Sequence, residues 1–177
     1  NLSFYGSQNL PEKHNHIIFR FKNFKLIYND PRRFGFFKIL NNKSDYLRFF
    51  TRIGPEAISK DFNKIYLSKI LKNRTKNSKN LLLDQKLVSG LGNIYVNEIL
   101  FQAKINPFKK SYLINLDENK RIVKYSKIIL KKAIHFGGSS IRDFKGITGK
   151  SVNFQSEFKV YDRAKKRCSR NNCSGQI

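Results

Sequence analysis

The hydrophobic residues of this chain follow two periods, and the change falls near residues 41 to 44. Before it, His16 to Phe21 and Phe24 to Tyr28 are short runs rich in Ile and Phe, separated by Lys22-Asn23. Such runs with a two-residue polar break predict a β-hairpin. Asp30-Pro31 interrupts the pattern, and Phe34 to Leu40 resumes it. After Asn41-Asn42 the period becomes helical. Ser44 is the expected cap of a short helix through Phe50, which Gly54-Pro55 ends. Ser59 or Asp61 is the expected cap of the next, with Phe62, Ile65, Tyr66, Lys69 and Ile70 at helical spacing. Two further helical pieces, Leu81 to Val88 and Asn93 to Ala103, flank Gly90-Leu91-Gly92, and Pro107 stops the second. The clearest helix runs from Asp117 to Phe136. Ile122, Ile129, Ala133 and Phe136 share one face, joined by Val123 and Leu130, and Gly137-Gly138 supplies a left-handed cap. Residues 139 to 156 read as a loop rich in Gly and Ser, and Phe158 to Tyr161 as a strand leading to two cysteines. The fold class is therefore α+β, with a β part followed by an α part and no internal repeat.

A chain of 177 residues holds one sizeable domain or two small ones. With 40% apolar residues and 16 Phe it can build a core. Its 36 Lys and Arg against 12 Asp and Glu leave a net charge of +24. A surplus of that size attracts polyanions, nucleic acid first and an acidic membrane surface second. Abundant Lys, Asn and Ile are also what an AT-rich coding sequence produces, so charge alone does not decide. No apolar run approaches the ~18 residues of a membrane span, and the start has no charged or apolar signal region. No Met is present, even at position 1, which leads us to expect a piece of a longer protein.

Four segments carry chemistry. In Asp30-Pro31-Arg32-Arg33-Phe34-Gly35, Pro fixes φ and Gly35 permits a tight path, so that a stiff turn presents two guanidiniums and a ring. Arg pairs with a base edge or phosphate, and Phe wedges between bases. The plain alternative is a surface turn with Phe34 in the core. In Leu87 to Glu98 two glycines allow close backbone approach to a phosphate, and Asn93 sits where it can cap a helix. Here the alternative is a structural corner with Ile94 and Tyr95 inside. No Gly-Lys-Ser/Thr follows this turn, so a nucleotide P-loop is not supported here. Cys168 and Cys173 are separated by four residues, among basic residues. They are either two of the four ligands zinc requires or two ordinary thiols. His14 and His16 would share a strand face, but without a third ligand they read as polar strand residues.

Taken together, these segments resemble formamidopyrimidine-DNA glycosylase. The resemblance rests on Lys13-His14-Asn15-His16, Asp30 to Gly35, Ile53-Gly54-Pro55-Glu56, Leu82-Leu83-Asp84-Gln85, the Gly-Leu-Gly-Asn-Ile-Tyr turn with Glu98, Gly137-Gly138-Ser139-Ser140 and the closing Cys pair. Order and spacing agree along nearly the whole chain. The resemblance implies part of an N-terminal β-sandwich over 1–42, a helix-two-turn-helix domain over 43–157 and the start of a zinc β-hairpin over 158–177, with DNA running between the domains. It implies an enzyme that flips an oxidised purine such as 8-oxoguanine from duplex DNA. The family's N-terminal Pro amine then attacks C1′, aided by a Glu and a Lys, and elimination nicks the strand. None of those catalytic residues is in this chain, so the chain itself is expected to bind DNA without catalysis.

What carries over is DNA handling. Arg32 and Phe34 match the residues that fill the gap left by the flipped base and contact the orphaned cytosine. Asn93 and Lys79 match phosphate contacts, and His14 and Arg74 match further DNA contacts. The loop from Gly138 through Ser139 and Ser140 to Phe154 corresponds to the one that closes over the flipped base. Cys168 and Cys173 match the first two ligands of one structural zinc ion. The implied setting is a monomer on damaged double-stranded DNA in the bacterial cytoplasm, at the nucleoid and not at a membrane. The family's Met insertion residue has no secure counterpart, and its second zinc pair and zinc-hairpin Arg are missing. An endonuclease VIII-like enzyme for oxidised pyrimidines is the nearest alternative, opposed by Arg32-Arg33-Phe34. A non-catalytic basic DNA-binding module is the alternative of another kind.

Overall fold

A computed structural model describes residues 2–6, 13–138 and 154–177. The architecture is α+β, and the chain forms two compact units. One contains Asn1–Asn41 and Ala133–Ser156, the other Asn42–Lys132 and Glu157–Ile177.

The first unit holds a three-stranded antiparallel sheet. Its strands are β1 (Leu2–Tyr5), β2 (Asn15–Arg20) and β3 (Lys25–Asn29), in the order β1-β3-β2. The expected hairpin is β2-β3: the Phe21 N–H donates to the Phe24 carbonyl at 2.9 Å across Lys22-Asn23. β1 was not legible in the sequence; it pairs with β3 from Leu2↔Tyr28 to Tyr5↔Lys25. Ile27 on the central strand is fully buried. The strand expected at Phe34 to Leu40 does not form. The chain after Arg33 touches the sheet through rings: Phe37 packs on Tyr28 at 4.8 Å and on Phe19 at 6.0 Å.

The second unit is helical: α1 (Lys43–Phe50), α2 (Lys64–Leu71), α3 (Ser78–Leu83), α4 (Asn93–Gln102) and most of α5 (Leu116–His135). Its core joins Phe62, Leu67, Leu81, Leu82, Val88, Leu91, Val96, Ile99, Leu100 and Ile122, all nearly inaccessible. Each such side chain stabilises the fold by about 1.5–3 kcal/mol. Asparagines start four of the five α-helices, α4 being the exception. Asn42 caps α1, Asn63 caps α2 through the N–H groups of Ile65 and Tyr66, and Asn77 caps α3. The expected caps at Ser44 and at Ser59 or Asp61 are therefore displaced, because the asparagine immediately before each helix reaches its free N–H groups first. Asn115 and Glu118 form a reciprocal capping box at α5, with both bonds at 2.9 Å.

The α5 face behaves as its periodicity predicts, with Ile122, Ile129 and Ala133 buried. Val123 and Leu130 are half-buried, and Phe136, just past the helix end, is more open. Gly137 and Gly138 have φ of 76° and 99°, and the Gly138 N–H closes the helix on the Ala133 carbonyl at 2.7 Å. Asn119, buried inside this helix, donates to Ser68 Oγ at 2.7 Å and to the Lys64 carbonyl at 3.0 Å, tying α5 to α2.

Candidate nucleic-acid interface

In the first unit the turn after β3 is built around Asp30. Its Oδ2 accepts from the Gly35 N–H at 2.8 Å and from the Tyr28 hydroxyl at 3.0 Å. The Gly35 N–H is the main cause that holds the Asp30 carboxyl below its usual range; the Tyr28 hydroxyl and the N–H groups of Arg32 and Arg33 act the same way against partial desolvation. The left-handed residue is Arg33, with φ 53°, not Gly35. Phe34 is 78% exposed, so the core position considered for it is ruled out. The Arg32 guanidinium lies over the Phe34 ring at 4.7 Å, and the pair projects as one cationic and aromatic tip.

His14 precedes β2 in a left-handed conformation, φ 68°, with its carbonyl accepting from the Asp30 N–H at 3.0 Å. It therefore does not share a regular strand face with His16, whose Nε2 donates to the Asp30 carbonyl at 2.9 Å. Both histidines border the Asp30 turn.

In the second unit α3 and α4 enclose two successive turns. Helix α3 stops at Leu83, short of the expected Val88, because Asp84 leaves the helix and the N–H groups of Leu87 and Val88 both return to its carbonyl. Gln85 then staples the loop. Its amide donates to the Leu91 carbonyl at 2.8 Å and accepts from the Gly90 N–H at 3.1 Å. Gly90 is left-handed at φ 81°. Behind the loop the Gly54 N–H donates to the Gln85 carbonyl, and the Tyr66 hydroxyl donates to the Leu87 carbonyl at 2.8 Å. Burial raises the Tyr66 pKa, partly opposed by the Arg74 charge. The cap of α4 is Gly92, and no side chain caps it. Asn93 is the exposed first residue of the helix and does not cap it as expected. The N-terminus of α4 is thereby left accessible to an external acceptor.

Lys79 lies in the first turn of α3, with its N–H on the Pro107 carbonyl at 3.2 Å. Arg74 is exposed just before that helix, and its carbonyl accepts from the Tyr112 N–H at 3.3 Å. Segment 107–112 thus braces the stretch that carries both cations. Lys76 pairs with Asp84 at 3.0 Å and lowers its pKa. Ser139, Ser140 and the loop through 153 lie outside the described residues; Gly138 is the last one described before it.

The strand expected at Phe158 to Tyr161 is absent, because its backbone has another partner. The N–H groups of Lys159, Val160 and Tyr161 converge on the Glu98 carboxylate at 2.9, 3.0 and 2.8 Å. Glu98 is 3% exposed on α4. Its role was missed in the sequence, although a carboxylate amid Val96, Ile99 and Leu100 is a usable signal. The chain continues into a short hairpin-like turn, with the Cys168 N–H on the Gly175 carbonyl at 2.8 Å and Arg167 bridged to Gln176. The Gly175 N–H and the Cys168 thiol both hydrogen-bond Cys173 and lower its pKa. Cys168 and Cys173 thus stand on the same short turn, both partly exposed. Among the described residues no three His, Cys, Asp or Glu side chains cluster.

The helix-two-turn-helix also has a counterpart in sequence. Residues 53–145, just over half of the chain, match the family described as formamidopyrimidine-DNA glycosylase H2TH domain. The chain belongs to this family. Formamidopyrimidine-DNA glycosylase of Roseobacter denitrificans is 42% identical over 176 residues, which is 98% of this chain and 62% of the relative. The enzyme of that name from Wolbachia pipientis of Culex pipiens is 41% identical over 157 residues, 88% of this chain and 58% of the relative. Lactococcus lactis Fpg, solved with DNA containing an abasic site, has a TM-score of 0.88 and 36% identity, covering 99% of this chain and 64% of that one. A mutant of the Lactococcus protein with DNA containing Fapy-dG has a TM-score of 0.89 at 35% identity. The chain thus spans less than two thirds of the relatives it matches. Arg74, Lys79, Asn93 and Glu98 lie within the H2TH match; Arg32, Phe34, Cys168 and Cys173 lie outside it.

Proposed function

We propose that the protein containing this chain is a base-excision DNA glycosylase that removes oxidised purines, 8-oxoguanine and formamidopyrimidines, from duplex DNA and cleaves the strand as an AP lyase. The observation that carries this reading is the Arg32–Phe34 tip: an aromatic ring left 78% exposed under a guanidinium, on a turn held by Asp30. An exposed ring gains by entering a base stack vacated by a flipped nucleotide, and the guanidinium beside it reads the unpaired base edge. Lys79, Asn93, His14 and Arg74 are assigned to the DNA backbone. The +24 charge supports them by making polyanion binding strong and salt-dependent. The loop from Gly138 is assigned to the flipped base. The division into residues 1–42, 43–157 and 158–177 belongs to the same reading.

Zinc, held in part by Cys168 and Cys173, would brace the hairpin structurally; metal analysis of the full-length protein tests for one ion. The nucleophile is the terminal amine implied by the resemblance. The residues in hand grip the duplex, fill the gap and orient the sugar for it. The partner is damaged duplex DNA, met by a monomer at the bacterial nucleoid. No described helix is long and apolar enough to cross a membrane. The test is base release by the full-length protein from duplexes carrying 8-oxoguanine or an oxidised pyrimidine. Preference for 8-oxoguanine is expected. Preference for the pyrimidine would favour the endonuclease VIII-like alternative, and release of neither would leave a DNA-binding module.

A further inference from the structure

The Asp30 turn contains a contact that its glycine explains. Tyr28 sits on the central strand, its ring edge-on to Phe37 at 4.8 Å and tilted against His16 at 6.1 Å. Its hydroxyl donates to Asp30 Oδ2, the same atom that accepts from the Gly35 N–H. One oxygen therefore joins the end of β3 to both ends of the turn. A Cβ placed on Gly35 would lie 1.8 Å from Tyr28 Oη and 3.1 Å from Cζ. Gly35 is not left-handed, so its φ does not demand glycine; the closest obstacle to a side chain there is the Tyr28 hydroxyl, with Asp30 Oδ2 next at 3.1 Å. The strained position is Arg33, between the two residues of the tip. A turn with a non-glycine residue at positive φ keeps one geometry only when its surroundings hold it there.

We propose that Tyr28 is a positioning residue: its hydroxyl latches the Asp30–Gly35 turn so that Arg32 and Phe34 meet the base opposite the lesion in one geometry, and it thereby sets discrimination for that base. The proposal rests on the reading of Arg32 and Phe34 given above. A fixed tip loses little entropy on engaging DNA, and a guanidinium needs its angle held to distinguish one base edge from another. Tyr28 itself makes no DNA contact in this account. Its loss leaves attraction to phosphate intact and blurs only the readout.

The experiment measures binding of the full-length protein to duplexes carrying a tetrahydrofuran abasic-site analogue opposite each of the four bases, with undamaged duplex and thermal melting alongside. Tyr28→Phe should lower the cytosine preference about two- to tenfold, the range of one hydrogen bond, with undamaged-duplex affinity close to wild type and a melting temperature lowered by no more than the loss of that one bond. Gly35→Ala should lower it further. In the Tyr28→Phe background, Gly35→Ala should cost less than in the wild type, because the 1.8 Å overlap is gone. Arg32→Ala runs in parallel. If it removes the preference while Tyr28→Phe does not, the latch is wrong and the tip reading survives. If Arg32→Ala leaves the preference intact, the tip reading fails and the latch with it. A Tyr28→Phe protein weakened equally on every duplex, or destabilised by more than that one bond, or a Gly35→Ala cost that is the same in both backgrounds, also overturns the latch.

Discussion

Replacing Glu98 probes how the cysteine-bearing end is attached to the helix-two-turn-helix domain. The carboxylate is 3% exposed and accepts three backbone N–H groups within 3.0 Å, two on Oε1 and one on Oε2. A hydrogen bond to a charged group contributes about 1.5–3 kcal/mol, and a buried donor left without a partner costs about 1–3 kcal/mol. Glu98→Gln can keep its oxygen toward Val160 and Tyr161, but its NH2 then faces the Lys159 N–H. The expected loss is about 2–3 kcal/mol, less than the sum because the three bonds share one group. Glu98→Ala abandons all three donors, and the loss should reach about 3–5 kcal/mol. Urea unfolding gives the total. Amide hydrogen exchange gives the location: Lys159, Val160 and Tyr161 should lose protection first, while Ile122 and Ile129 in α5 keep theirs at low denaturant. A Gln variant within ~0.5 kcal/mol of wild type, with protection at 159–161 unchanged, would refute the reasoning.

Three further outcomes are expected. Burial raises the Glu118 pKa, but the Lys109 ammonium at 2.7 Å and the Asn115 N–H outweigh it, so the folded value lies below the usual one. The stabilisation is then present above about pH 4.5 and lost as pH falls through the depressed value; Glu118→Gln should cost about 1–2 kcal/mol at pH 7 and converge with wild type in urea melts toward pH 3. Lys79→Ala should weaken binding to every duplex and reduce the slope of log K against log salt by about one unit; a titration series showing an unchanged slope removes Lys79 from the phosphate contacts. Gly54→Ala places a Cβ 2.4 Å from the Leu87 carbonyl group, which is backbone and cannot swing away. It should destabilise the protein by about 1–3 kcal/mol, and a melting temperature equal to wild type would contradict that packing.

The locally coded elements were the most legible. Helix α5 was readable because twenty residues carry one apolar face, and the β2-β3 hairpin because two aromatic runs flank a two-residue loop. What failed was decided by competing partners, some of them distant in sequence. Phe34 to Leu40 has the composition of a strand, but Phe37 meets the sheet through its ring, on Tyr28 and Phe19. Phe158 to Tyr161 looks like a strand because periodicity cannot reveal that its N–H groups belong to Glu98. Asp84 ends the α3 pattern early by taking the Leu87 and Val88 N–H groups on its carbonyl, a turn that leaves no trace in hydrophobic spacing. At the candidate site the Arg32–Phe34 tip was legible as residues. The latch beneath it was not, because Tyr28 reads as an ordinary strand aromatic until its hydroxyl is placed against Asp30 and Gly35.

Borohydride trapping tests the central claim most directly. The full-length protein is mixed with duplex DNA containing 8-oxoguanine opposite cytosine and reduced during the reaction. If the protein is a glycosylase that works through an amine, the reduced sample contains a stable covalent protein–DNA adduct, absent with undamaged duplex. DNA bound tightly with no adduct would contradict the glycosylase-lyase account and leave the Arg32–Phe34 tip, Lys79 and Asn93 as parts of a binding protein only.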